Sequence, residues 1–119
     1  MVDKKLFTET FQYFDKSVII EIIDIFINES PDRLNSLEQN INDGDFKMLR
    51  FNAHSLKGVV ANFASQPAFE KVKSLERSAA DFMETEGEGF NKDALLQDLT
   101  IIRGMIAEMI TDLTEIKAQ

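Results

Sequence analysis

The sequence predicts an all-α chain, an antiparallel up-down-up-down four-helix bundle with a short extra N-terminal helix. Three observations carry that expectation. Breakers are scarce, with 5 glycines and 2 prolines among 119 residues, so long stretches are free to stay regular. Apolar residues recur at spacings of three and four, the period of one helix face. The segments between these runs are short, which returns each helix antiparallel to the one before. A chain of 119 residues fits one domain over 1–119, with enough core to fold without staples.

Residues 3–14 form the short first helix. Phe7, Phe11 and Phe14 are spaced four and three apart, Leu6 lies beside them, and Asp3 suits the N-cap. So short a helix is marginal alone, and it is expected to pack across the end or side of the bundle.

Residues 17–42 carry Ile19, Ile22, Phe26, Leu34, Leu37 and Ile41 on one stripe. The β-branched run over 18–27 raises a strand as an alternative, but the helical spacing continues past any ordinary strand length. Pro31 is expected to kink this helix, or to restart it with Ser30 as cap. In "NDGD" (42–45), Gly44 suits the left-handed position after a helix and Asp45 the next N-cap.

Residues 46–64 place Phe46, Leu49, Ala53, Leu56, Val60 and Phe63 in the spacing of a bundle seam. Ser65, Gln66 and Pro67 mark a turn into the next helix, whose stripe is Ala68, Val72, Leu75, Ala79 and Phe82. The acidic, glycine-bearing "ETEGEGFN" (84–91) is the clearest loop. Asn91 caps a last helix that repeats Leu95, Leu99, Ile102, Ile106, Met109, Leu113 and Ile116 in heptad fashion.

Composition narrows function. The formal net charge is −8, which disfavours nucleic acid as a partner. No stretch approaches the roughly 18 consecutive apolar residues of a membrane span, and "MVDKKLFTET" has no secretory h-region. A cytoplasmic protein without membrane association is expected. The absence of cysteine removes disulfides and thiolate metal sites. No glycine-rich phosphate loop, nucleophile–His–acid framing or Glu-x-x-His pair is present, and no metal site or ATP site is expected.

The remaining candidate is His54, the only histidine, in "NAHSLKGVVANFAS" (52–65). The plain reading makes it incidental. At about 100° per residue it points about 130° away from the centre of the seam, outside the core. Gly58 follows one turn on, where glycine costs about 1 kcal/mol against alanine, and Ala61 is also small. Something large is expected to approach there. Phe51 points away from the core, either under the N-terminal helix or toward a partner. Lys47, Arg50 and Lys57 gather cations around the one imidazole of an acidic chain, an arrangement that favours an anion. A neutral imidazole with an exposed nitrogen is a good nucleophile toward phosphorus.

"AHSLKG" (53–58), with Ala61 and Asn62 following, resembles the signature of histidine phosphotransfer (HPt) domains. The resemblance extends over the preceding helix, the Gly-Asp turn and the "SLE" of 74–76, covering about 17–83 well and the last helix by pattern. It implies that His54 accepts a phosphoryl group through Nε2 from a receiver-domain aspartate or a hybrid sensor histidine kinase, and passes it to a second response-regulator receiver. Lys57 would neutralise phosphoryl charge, and Gly58 would clear space. Glu76 would accept a hydrogen bond from Nδ1, or alternatively form only a flank salt bridge with Lys57. Lys47, Arg50, Phe51, Ala61 and Asn62 would meet the partner. The resemblance implies no cofactor of the chain's own, Mg²⁺ belonging to the receiver, and a monomeric phosphocarrier rather than an enzyme. "VVANF" (59–63) is bulkier than the family's usual small-residue run, and the Pro67 turn is less typical.

Two other readings differ in kind. One is an interaction bundle that docks receivers or kinases and has lost transfer, although His54, Lys57 and Gly58 together speak against it. The other is a dimeric kinase core fragment, whose ATP-binding domain 119 residues cannot also house. The initial Met and the lack of a linker point toward a free-standing chain.

Overall fold

A computed structural model describes residues 1–119. It contains five helices: α1 (Lys4–Thr10), α2 (Lys16–Asp43), α3 (Phe46–Ala61), α4 (Gln66–Glu84) and α5 (Lys92–Lys117). No strand is present. The four long helices form a rod of 48 × 20 × 19 Å in which α2 contacts α3, α3 contacts α4, and α5 closes the ring against α4 and α2. Cross-helix pairs give the directions. Lys117 bonds Asp24 while Arg103 reaches Asn35 at 3.1 Å, so numbers rise along α5 as they fall along α2. Asn52 with Asn40 and Ser55 with Arg33 do the same for α2 and α3. The arrangement is the antiparallel four-helix bundle that the short links predict.

Side chains set the helix starts. Asp3 accepts the Leu6 N–H at 3.0 Å, Asp45 that of Met48 at 3.1 Å and Asn91 that of Ala94 at 3.1 Å, each occupying a donor the helix leaves free. Gly44 ends α2 at φ 64°, a left-handed position that glycine adopts without steric cost. The core runs the length of the bundle through Leu37, Ile41, Leu49, Leu56, Leu75, Leu99, Ile106 and Met109, among others.

Five local expectations are corrected. The first helix covers 4–10, not 3–14: turns follow from residue 11, and Leu6 and Phe14 are exposed, leaving Phe7 and Phe11 in the core. Pro31 neither stops nor restarts α2, which is continuous over 28 residues. A proline costs one backbone hydrogen bond, and the neighbouring Phe26 carbonyl is held at 2.5 Å by the buried Ser30 hydroxyl. In the first half of α2 the fully buried isoleucine is Ile23, while Ile19 and Ile22 are half-buried. At the far end of the α5 stripe, Ile116 is also only half-buried. Helix α3 ends at Ala61, three residues early, because Ala64 takes a left-handed φ of 55° and the chain must turn to enter α4.

Helix α1 lies against one end of the bundle. The Asp3 N–H bonds the Ala64 carbonyl at 2.8 Å. Asp112 of α5 accepts from the Met1 amine at 2.8 Å and the Val2 N–H at 2.9 Å. Phe7 stacks on Phe63, which packs on Phe26. At the opposite end Phe46, Phe82 and Phe90 form a second aromatic cluster beneath the 85–91 connection.

Candidate functional site

Helix α3 holds its site residues by its other face. Leu49, Ala53, Leu56 and Val60 are fully buried, so the helix cannot roll without exposing them, and the flank bearing His54 is fixed toward solvent. The His54 side chain is 72% exposed. Exposed though it is, the ring is tethered: Nδ1 lies 3.2 Å from Oε1 and 3.1 Å from Oε2 of Glu76. An ionised carboxylate only accepts, so Nδ1 carries the proton and donates it. Nε2 is left with its lone pair and has no hydrogen-bond partner.

Glu76 comes from α4, which runs antiparallel to α3 and is anchored beside it by Leu75 and Ala79. Its side chain is 16% exposed. It also accepts from Lys57 Nζ at 2.8 Å through Oε1. Burial by itself pushes this carboxyl up. The hydrogen bonds from Lys57 and His54, with the charges behind them, outweigh burial and hold it below the ordinary value of 4.5. Both roles foreseen for Glu76, acceptor for the imidazole and salt-bridge partner of Lys57, occur together. The Lys57 side chain is 22% exposed and its ammonium is turned to Glu76. Its charge therefore acts on the site partly through that carboxylate.

An open concavity of about 550 Å³ lies over this group, lined by Lys47, Met48, Arg50, Phe51, His54, Glu76 and Met83. Lys47 and Arg50 form no ion pair within the chain. Phe51 is 65% exposed, so α1 does not cover it. Gly58 is exposed, and a Cβ placed there would meet no heavy atom within 4 Å. The fold has no internal need for that glycine. Ala61 and Asn62 are exposed but stand outside the concavity around His54. Ala61 borders a surface hollow beside Leu6 and Pro67, and Asn62 a groove shared with α2.

Three features escaped the sequence reading. Met48 and Met83 put apolar surface beside the imidazole. Met83 had a signal, since it lies seven residues after Glu76, on the same side of α4. The third is Arg33 of α2, whose guanidinium donates to the Ser55 hydroxyl at 2.9 Å and to Glu29 at 3.3 Å. It braces the residue next to His54 from the opposite flank, and no spacing rule links positions 22 residues apart.

The arrangement offers an oriented, accessible nitrogen nucleophile among cations. No group of three or more His, Cys, Asp or Glu side chains is placed to hold a metal, and no helix is long and apolar enough to cross a membrane. A family model described as "Hpt domain" matches residues 21–116. Searches of curated proteins and of solved structures return no significant match.

Proposed function

The chain belongs to the Hpt domain family, whose work is histidine phosphotransfer in phosphorelays, and from that premise we propose that it carries a phosphoryl group on His54 between receiver-domain aspartates in the cytoplasm. One observation carries the residue assignment. His54 is the only histidine, and its Nδ1 is engaged by Glu76 while Nε2 faces solvent unpartnered. A histidine without a role gains nothing from being both exposed and held in one tautomer.

The chemistry follows from that tautomer. The Nε2 lone pair attacks the phosphorus of an aspartyl phosphate. The N–P bond forms as the P–O bond of the mixed anhydride breaks, and the electron pair leaves with the donor carboxylate. Onward transfer reverses these roles at a second aspartate. Such transfer is mostly positioning and charge stabilisation. The bundle supplies a nucleophile on a rigid helix, and Lys47 and Arg50 supply positive charge at the rim. Receiver domains of response regulators and hybrid sensor histidine kinases are the partners of this reading. Their acidic pockets bring the Mg²⁺, and Met48, Phe51 and Met83 offer them an apolar landing beside His54.

The test is transfer from a receiver carrying labelled aspartyl phosphate. The wild-type chain is expected to acquire acid-labile, base-stable label, and His54→Gln none. A labelled His54→Gln chain would put the phosphoryl group elsewhere. A wild-type chain that binds the receiver yet stays unlabelled would leave only docking.

A further inference from the structure

We infer that Glu76 keeps the proton on Nδ1 of His54 after Nε2 has been phosphorylated, so that the phosphoryl group is carried on an imidazolium ring and held for quick release rather than for storage. The inference rests on the reading of His54 as the phosphorylated residue.

It begins with proton bookkeeping. The form of the ring that attacks carries its proton on Nδ1 and its lone pair on Nε2. Forming the N–P bond uses that lone pair, and the product ring keeps Nδ1–H and gains a positive charge. In water that proton leaves in about the range of imidazole itself, near 6.5, giving a neutral ring. Here the proton points at a carboxylate 3.1 to 3.2 Å away. Losing it would set the bare Nδ1 lone pair against two carboxylate oxygens, acceptor against acceptor, while Glu76 is too enclosed for water to intervene freely. The negative charge of Glu76 favours the protonated ring further.

The neighbouring charges make Glu76 decisive. Among the side chains lining the concavity it is the only acid, against Lys47 and Arg50 from α3. Lys57, also on α3, holds Oε1 but leaves Oε2 to Nδ1. On the α2 side, Arg33 is engaged with Ser55 and Glu29. Remove the charge at position 76, and the other charged side chains lining the concavity, Lys47 and Arg50, are cationic and oppose protonation of the ring.

The consequence concerns the leaving group. When the phosphoryl group departs, the N–P electron pair returns to Nε2. From a protonated ring the product is neutral imidazole. From a deprotonated ring it is an imidazolate anion, a far poorer leaving group, unless a proton arrives first. A carboxylate in this position therefore does something that a neutral amide, equally able to accept the Nδ1–H bond, does not.

The experiment uses the full chain phosphorylated with phosphoramidate, a small donor that needs no receiver. Loss of phosphohistidine is followed by ³¹P NMR from pH 5 to 9, and Nδ1 protonation by ¹⁵N shift. In Glu76→Gln the decay should slow as pH rises through the ordinary imidazole range. In the wild type that fall should come at least about one pH unit later, making its phosphohistidine roughly tenfold shorter-lived than the variant's near pH 8. The two should converge near pH 5, where both rings are protonated. Lys57→Met, which leaves Glu76 uncompensated, should move the wild-type profile further up. Coincident profiles, or a bare Nδ1 in the phosphorylated wild type at pH 7, would overturn the inference while leaving His54 as carrier. Failure of the wild type to take phosphate on His54 at all would overturn the carrier reading with it.

Discussion

Gly58 and Glu76 separate what a residue does for the fold from what it does for the site. A Cβ at position 58 meets nothing within 4 Å, and the residue sits inside α3, where glycine costs about 1 kcal/mol against alanine. Gly58→Ala is therefore expected to raise unfolding stability by up to about 1 kcal/mol in urea titrations. A longer side chain, Gly58→Gln, should also stabilise the helix yet slow transfer from a receiver severalfold. An unchanged transfer rate would show that the glycine is merely tolerated. Glu76 works the other way, because its interactions stabilise the native state and depend on its charge. Its folded pKa lies below 4.5, so its contribution is fully present above the unfolded value and is lost as pH falls through the folded one. Acid titration of stability should show this loss below about pH 4.5 in the wild type and a shallower fall in Glu76→Gln. A deeper fall in the variant would reverse the sign. The sequence alone isolated the α3 half of this site, since Lys47, Arg50, His54, Lys57 and Gly58 share one helix and obey its period. The α4 half came only through the family resemblance, because the link from His54 to Glu76 depends on how two helices align, which no local spacing encodes.

Helix limits were legible wherever a cap is chemical and illegible where tertiary packing decides. Asp3, Asp45 and Asn91 cap as expected, and Gly44 takes its left-handed turn. The misses have a common cause. Helix α2 runs through Pro31 because its buried residues on both sides of the proline, Phe26 and Leu34, stay in register with the core. Packing then outweighs one lost hydrogen bond. Ile22 and Ile23 stand about 100° apart on the helix, within reach of the two edges of one broad apolar stripe, and only the neighbouring helices choose Ile23. The exposed Pro31 leads to a prediction. With a continuous helix already formed around it, Pro31→Ala restores the missing donor without disturbing the core and should stabilise the chain by about 1–3 kcal/mol. The check is the urea midpoint at unchanged m-value. A loss of stability would mean that the proline relieves strain in α2 that the local geometry does not reveal.

At the scale of the whole molecule the two ends of the rod have different duties. One end is closed by the 85–91 connection over Phe46, Phe82 and Phe90. The other is closed by α1, a helix of 7 residues too short to persist alone. It stays because its anchors come from two separate helices or their ends, and one of those anchors is itself packed on a third helix. Asp112 on α5 takes the Met1 amine and the Val2 N–H, the Ala64 carbonyl after α3 takes the Asp3 N–H, and Phe63 stacks with Phe7 while touching Phe26 on α2. His54 lies about seven residues before the end of α3, roughly 10 Å along its axis, and none of its bonds involve α1. The closure should therefore be a matter of stability and not of chemistry. Asp112→Ala removes the shared acceptor and is expected to cost about 1–3 kcal/mol. That loss should concentrate at the α1 end, as faster amide exchange over residues 2–11 with protection in the middle of α3 retained. The rate at which phosphoramidate phosphorylates His54 should stay at the wild-type value below the melting temperature. A variant whose α3 exchanges as fast as its α1 would show that the N-terminal segment is an integral part of the bundle. A variant with exchange confined to α1 but slowed phosphorylation would show that the aromatic end of the rod transmits its order to the imidazole.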